Sequence, residues 1–154
     1  MSIRTIKHDP AWVMDKPFLQ SFTVLGKDFF DAGRASTEIK AMLKELGVDP
    51  VVVRRVAIAT YEAEMNVVMY AERAELTLEV TPRRIRILVN DTGPGILDID
   101  LAMQEGYSTA TPEMREMGFG AGMGLPNIKR NSDGFTISSA EGKGTTLEIT
   151  FDIN

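Results

Sequence analysis

The sequence predicts an α/β fold, a two-layer sandwich in which a mixed, mostly antiparallel sheet carries helices on one face. Three observations lead there. Apolar residues recur at helical spacing in the first half of the chain, hairpin patterns fill the second half, and 154 residues with 44% hydrophobic content suffice for one packed core. A helix with an apolar stripe and a sheet with an apolar face bury these surfaces against each other, which gives layers. Residues 1–154 are read as a single domain, with 1–17 as an N-terminal extension. The second face of the sheet is expected to need a cover, from a partner or from the N-terminal strands.

Ser2 to His8 alternates as a strand does, and Asp9-Pro10 closes it. Phe18 to Leu25 is a second strand. From Phe29 onward Ala32, Ala35, Ile39, Met42, Leu43 and Leu46 form a helical stripe that Gly47 stops. Asp49-Pro50 reads as an N-cap followed by proline in the first turn, opening a long helix through Val53, Val56, Ala57, Thr60, Glu64, Val67 and Val68 to about Ala71. Leu76, Leu78 and Val80 alternate with polar residues, Pro82-Arg83 turns, and Ile85, Ile87 and Val89 alternate again, making a hairpin. Asp98 to Gln104 is a short helix, Gly106 to Gly124 a long polar loop, and Leu125 to Asn131 another helix. Phe135 to Ser139 and Thr145 to Ile153 form the last hairpin, with Leu147, Ile149, Phe151 and Ile153 on one face. A loop as long as Gly106 to Gly124 inside a compact domain is characteristically a lid or disordered, and its place between two glycine-bearing segments favours a lid.

Composition removes several function classes. With no cysteine there is no disulfide, thiolate zinc site or cysteine nucleophile, and a single histidine, His8, argues against a histidine-rich metal cluster or a Ser/His/Asp triad. A net charge of -5 argues against direct nucleic-acid binding; Arg54-Arg55 and Arg83-Arg84 read as solvated faces of a helix and a turn. No apolar run reaches membrane-spanning length and no signal-peptide pattern opens the chain, so a cytoplasmic protein without a membrane partner is expected.

Three short segments in fixed order carry the chemistry: Glu62-Ala-Glu-Met-Asn66, then Asn90-Asp91-Thr92-Gly93-Pro94-Gly95-Ile96, then Gly118-Phe-Gly120-Ala-Gly122-Met-Gly124-Leu125. Glu62 and Asn66 are four apart on a helix, so their side chains share a face. Taken singly each has a bland reading: Asp91-Thr-Gly-Pro-Gly as a turn after a strand, Gly142-Lys-Gly as a hairpin turn, Asn66 as an ordinary helix residue. A P-loop and a dinucleotide-binding Gly-x-Gly-x-x-Gly after a strand are both absent. The ordered set resembles the Bergerat-type ATP site of the GHKL superfamily of gyrase, Hsp90, MutL and histidine kinases. Within it the chain is most similar to the bacterial anti-sigma regulatory factors and stress-switch serine/threonine kinases. Gln104-Glu-Gly-Tyr-Ser-Thr109 and Gly122-Met-Gly-Leu-Pro126-Asn-Ile-Lys-Arg130 resemble their lid and exit helix, over roughly Phe18 to Asp152.

This resemblance implies ATP and Mg²⁺ as cofactors. Asp91, an acceptor when ionised, would take a hydrogen bond from the adenine amine, where guanine would oppose it with an oxygen. Gly93, Gly95 and Ile96 would form the floor beneath the base, with Thr145 closing the pocket beside Asp91. Gly118, Gly120, Gly122, Gly124 and Leu125 would turn amides onto the phosphates. Asn66 would be the Mg²⁺ ligand and Glu62 the general base. The implied reaction is phosphoryl transfer to a serine or threonine of a small STAS-type anti-sigma-factor antagonist, or of a sigma-factor-related regulatory protein; a homodimer is compatible with the sequence. Two alternatives stand beside it, an ATP-gated binding module without phosphotransfer and a histidine-kinase-type catalytic domain. The last lacks the histidine-bearing hairpin and has Met69 where a basic residue is common. Ala110 to Met117 also lengthens a lid that is short in the stress-switch kinases.

Overall fold

The computed structural model describes residues 16–95, 99–104, 124–140 and 142–153. The expected strand over Ser2 to His8 and nearly all of the Gly106 to Gly124 loop lie outside the described residues. Five strands form one sheet: β1 (Phe18–Leu25), β2 (Arg73–Val80), β3 (Arg84–Thr92), β4 (Gly134–Ala140) and β5 (Gly144–Asp152). Their spatial order is β1-β2-β3-β5-β4, and every described pairing is antiparallel. Among the described residues four helices accompany them: α1 (Arg34–Glu45), α2 (Pro50–Tyr70), the single turn α3 (Ile99–Ala102) and α4 (Gly124–Asn131). The α/β two-layer class holds, and most boundaries lie close to those expected; the first helix begins at Arg34, after Gly33, later than the stripe from Phe29 predicts.

Register explains the core. Leu78, Ile87, Ile149 and Phe135 lie in one rung across the sheet, and Phe22, Leu76, Val89, Leu147 and Ile137 in the next, all on the face that meets the helices. A strand alternates its side chains, so this one face collects every second residue. Helix α2 packs against both α1 and α4 and over the sheet, and accordingly buries Val53, Val56, Ala59, Ala63, Val67 and Val68. The opposite face is mostly polar, with Leu19 and Leu25 exposed on it. Ser21 and Thr77 pair through their hydroxyls at 3.3 Å, Thr23 donates to Glu75, Arg86 pairs with Glu148, and Thr146 donates to Asn90 at 2.9 Å. Cross-strand polar pairs of this kind stabilise a sheet face that meets water.

The helix ends are fixed by local chemistry. Asp49 accepts from the Val51 amide at 2.8 Å with Pro50 in the first turn of α2, as its sequence predicts. Helix α1 ends in a Schellman arrangement: the Val48 amide donates to Leu43 and the Gly47 amide to Lys44, with Gly47 at φ 79. Its beginning is unusual. The buried Glu64 carboxylate of α2 accepts from the amides of Gly33, Ala35 and Ser36 at 3.0–3.1 Å, capping α1 from a neighbouring helix. Arg55 also departs from its expected solvated face: it donates to the Asn131 carbonyl and to Asp133, and its guanidinium lies 6.0 Å from the Phe151 ring. Arg54 is exposed, as expected.

Candidate functional site

The inner row of β3 runs Ile85, Ile87, Val89 and then Asp91, so the two-residue period carries a carboxylate onto the face that elsewhere builds the core. The same rung holds Ala74 on β2, and on the other side Thr145 of β5 and Ser139 of β4. Asp91 Oδ1 accepts a hydrogen bond from the Thr145 amide at 3.0 Å, and the Thr145 and Ser139 hydroxyls are 2.8 Å apart. Burial pushes the Asp91 carboxyl above the usual aspartate range, and the Thr145 amide opposes that shift in part. A half-buried carboxylate with one oxygen held by the backbone keeps acceptor capacity for a donor arriving from outside.

Two glycines make this corner possible. A β-carbon on Gly144, whose φ is 91, would sit 2.1 Å from the Asp91 carbonyl oxygen, so no other residue lets β5 enter so close to β3. At Gly93 a β-carbon would fall 3.0 Å from the Ala71 Cα and 3.3 Å from Asp91 Oδ1. Its absence lets the chain after β3 lie against the end of α2. Part of the need for glycine at this position therefore comes from protein packing, in addition to any bound base.

Further back along the C-terminal half of α2, Glu62 and Asn66 meet the start of α4. A β-carbon on Gly124 would lie 3.3 Å from Asn66 Oδ1 and 3.7 Å from Glu62 Oε1, so both oxygens face the first residue of that helix. Asn66 precedes Ala71 by five residues and Glu62 by nine, which puts them about 7.5 Å and about 13 Å along the helix axis from the Asp91 corner. The C-terminal half of α2 thus spaces the hydrogen-bond acceptor near its end from two oxygen donors and a helix N-terminus a few turns back. Hard oxygen donors beside a helix start suit a small divalent cation and an anionic group together.

Of the expected site residues, the structure thus gathers Asp91, Gly93 and Thr145 at one corner and Glu62, Asn66 and Gly124 at the other. Gly95 follows β3 with φ 80, and Leu125 is buried at the start of α4. Ile96, Gly118, Gly120 and Gly122 lie outside the described residues. Sequence reading missed Ser139, Gly144 and Asn127, whose amide donates to Glu62 at 3.0 Å. Strand register was the available signal for Ser139, since it pairs with Thr145. A separate cavity of about 200 Å³, lined by Val24, Asp28, Arg34, Glu64 and Val68 among others, shares none of these residues.

Known proteins resemble this chain over most of its length. A family model described as the histidine kinase-like ATPase domain matches residues 31–151. The chain is 35% identical over 109 residues to the serine/threonine-protein kinase RsbT of Bacillus subtilis, covering 68% of this chain and 76% of that one. It is 29% identical over 123 residues to an anti-sigma F factor of Caldanaerobacter subterraneus, covering 75% and 81%. The RsbU and RsbW domains of a Mycobacterium tuberculosis protein superpose with a TM-score of 0.56 at 15% identity, over 87% of this chain and 32% of that longer one. The mycobacterial sensor histidine kinase MprB gives 0.53 at 13% identity, over 89% and 99%. At such identities the structural likeness speaks for the fold alone.

Proposed function

Because this chain belongs to the histidine kinase-like ATPase domain family of GHKL proteins, we propose that it is a serine/threonine protein kinase of the anti-sigma-factor type. Its substrates are ATP and a small STAS-type regulatory protein. The observation that carries this reading is the convergence of Glu62 Oε1 and Asn66 Oδ1 on the first residue of α4, roughly 7 to 13 Å back along α2 from the corner that Asp91 occupies. The similarity to a serine/threonine-protein kinase supports it.

Each residue then has a task. Asp91 accepts from the adenine amine, with Thr145 and Ser139 beside it, while Gly93 and Gly95 keep the wall beneath the base thin. Gly124 and Leu125 offer amides at the helix start to the phosphates; by the resemblance Gly118, Gly120 and Gly122 serve the same phosphates and Ile96 the nucleotide. Asn66 is the residue that would hold Mg²⁺, whose contribution when bound is to neutralise phosphate charge. The serine oxygen of the partner forms a bond to the γ-phosphorus as the bond to the β,γ-bridging oxygen breaks and ADP leaves with the electron pair. Glu62 takes the hydroxyl proton.

The similarity to anti-sigma F factors favours one second reading, a module that grips its partner under control of ATP without phosphorylating it. Glu62→Gln separates the two, since glutamine keeps the size and polarity of the side chain but cannot take a proton at neutral pH. Nucleotide affinity is expected to persist while transfer of labelled phosphate to the partner serine falls by about 10²–10⁴-fold. Transfer at the wild-type rate would remove Glu62 from the mechanism. Tight partner binding with no transfer by the wild type would establish the binding module instead.

A further inference from the structure

Glu62 is held from the side opposite its working oxygen. Its Oε2 accepts from Asn127 Nδ2 at 3.0 Å, and Asn127 Oδ1 accepts from Arg130 Nη2 at 2.5 Å. A guanidinium only donates and an ionised carboxylate only accepts, so the amide between them has one orientation that satisfies both: oxygen toward Arg130, NH₂ toward Glu62. Asn127 and Arg130 are three apart on α4 and therefore neighbours on its surface. The remaining oxygen, Oε1, faces the start of α4 beside Asn66.

We propose that Asn127 is a positioning residue for phosphoryl transfer: by occupying Oε2 it presents Oε1 as the proton acceptor, and it makes that presentation depend on α4 being seated against α2. The proposal rests on the kinase reading and deepens it. A glutamate has three rotatable side-chain bonds, and a charge-assisted hydrogen bond to its second oxygen removes much of that freedom. A base misplaced by one rotamer is out of reach of the hydroxyl proton, which makes orientation a rate term in its own right. Helix α4 begins at Gly124, the last glycine of the phosphate cradle, and Asn127 lies three residues on, within one turn of it. Contact of the helix start with phosphate therefore seats the same element that aims the base. Arg55 secures the far end of α4 through the Asn131 carbonyl, so the helix is held at both ends of this relay.

The test uses the whole chain and its Asn127→Ala, Arg130→Ala and Glu62→Gln variants, with the Asn127→Ala, Glu62→Gln double variant. MgADP affinity is measured by calorimetry, the Glu62 side-chain rotamer by three-bond NMR couplings, and ATP turnover with water as acceptor over long incubations. Asn127→Ala is expected to keep MgADP affinity and KM for ATP within about threefold while turnover falls at least about tenfold and the Glu62 couplings move to averaged values. Arg130→Ala should fall between it and wild type, and Asn127→Ala should add nothing once Glu62 is glutamine. Unchanged turnover in Asn127→Ala, an unaltered Glu62 rotamer, or an equal fractional loss in both backgrounds overturns the proposal. Wild-type protein that binds no MgADP refutes the nucleotide site itself, which is a separate result.

Discussion

At the scale of single residues, Asp91 shows how one position is turned from core building to recognition. It continues the buried row of β3, and burial raises its carboxyl above the ordinary value of 3.8. The ionised form is the stronger acceptor for the adenine amine, so nucleotide affinity is highest well above the raised value and weakens as pH falls through it. The loss begins at a higher pH than an unperturbed aspartate would give. For stability the sign is reversed: the folded chain binds this proton more tightly than the unfolded one, so the contribution of Asp91 declines as pH rises through its raised value. MgADP titrations between about pH 7 and about pH 4 are expected to show the acid loss in wild type but no such titration in Asp91→Asn. Asp133 behaves oppositely. The Asp152 amide and then Arg55 hold its carboxyl below the usual range, so its stabilising share is present above the unfolded value and is lost as pH falls through the folded one.

Among elements, α2 is the organiser, and the loop between β1 and α1 locks onto both ends of its C-terminal half. Glu64 caps the start of α1 through three amides. Near the end of α2, the Lys27 amide donates to the Val68 carbonyl at 2.7 Å and the Lys27 ammonium to the Met69 carbonyl at 2.6 Å. Glu64→Ala leaves those amides without their acceptor, two of them at buried residues, and should destabilise the fold by at least about 2 kcal/mol. Glu64→Gln, which retains one acceptor oxygen, should lose less. Urea unfolding of the two variants measures this ranking; equal stability of Glu64→Ala and wild type would show that water replaces the cap. Gly144→Ala is expected to disturb the Asp91 corner more than the rest of the sheet, since its β-carbon meets the Asp91 carbonyl. A heteronuclear NMR shift map of that variant should show its largest changes around Asp91, Thr145 and Ser139.

For the molecule as a whole, the layers were readable because apolar period and burial coincide: Ile85, Ile87 and Val89 alternate, Ile39 and Leu43 recur by four, and all are buried. Asp49-Pro50 and Gly47 marked helix ends because their chemistry is local. Glu64 escaped notice as a cap because its acceptors' partners lie 28 to 31 residues away in sequence. Asn127 and Ser139 escaped for the same reason, each acquiring its role from a residue on another element. The three motifs converge in space: Glu62 and Asn66 both lie against Gly124, and Asp91 accepts from the Thr145 amide. The central claim is that Asp91 reads adenine beside the C-terminal end of α2 while Asn66 and α4 receive phosphates a little further back along the same half of that helix. Calorimetry of MgATP against MgGTP on wild type and Asp91→Asn tests it most directly. Wild type is expected to prefer ATP by ~1.5–3 kcal/mol and Asp91→Asn to lose that preference; equal affinity of the wild type for the two nucleotides would contradict the account.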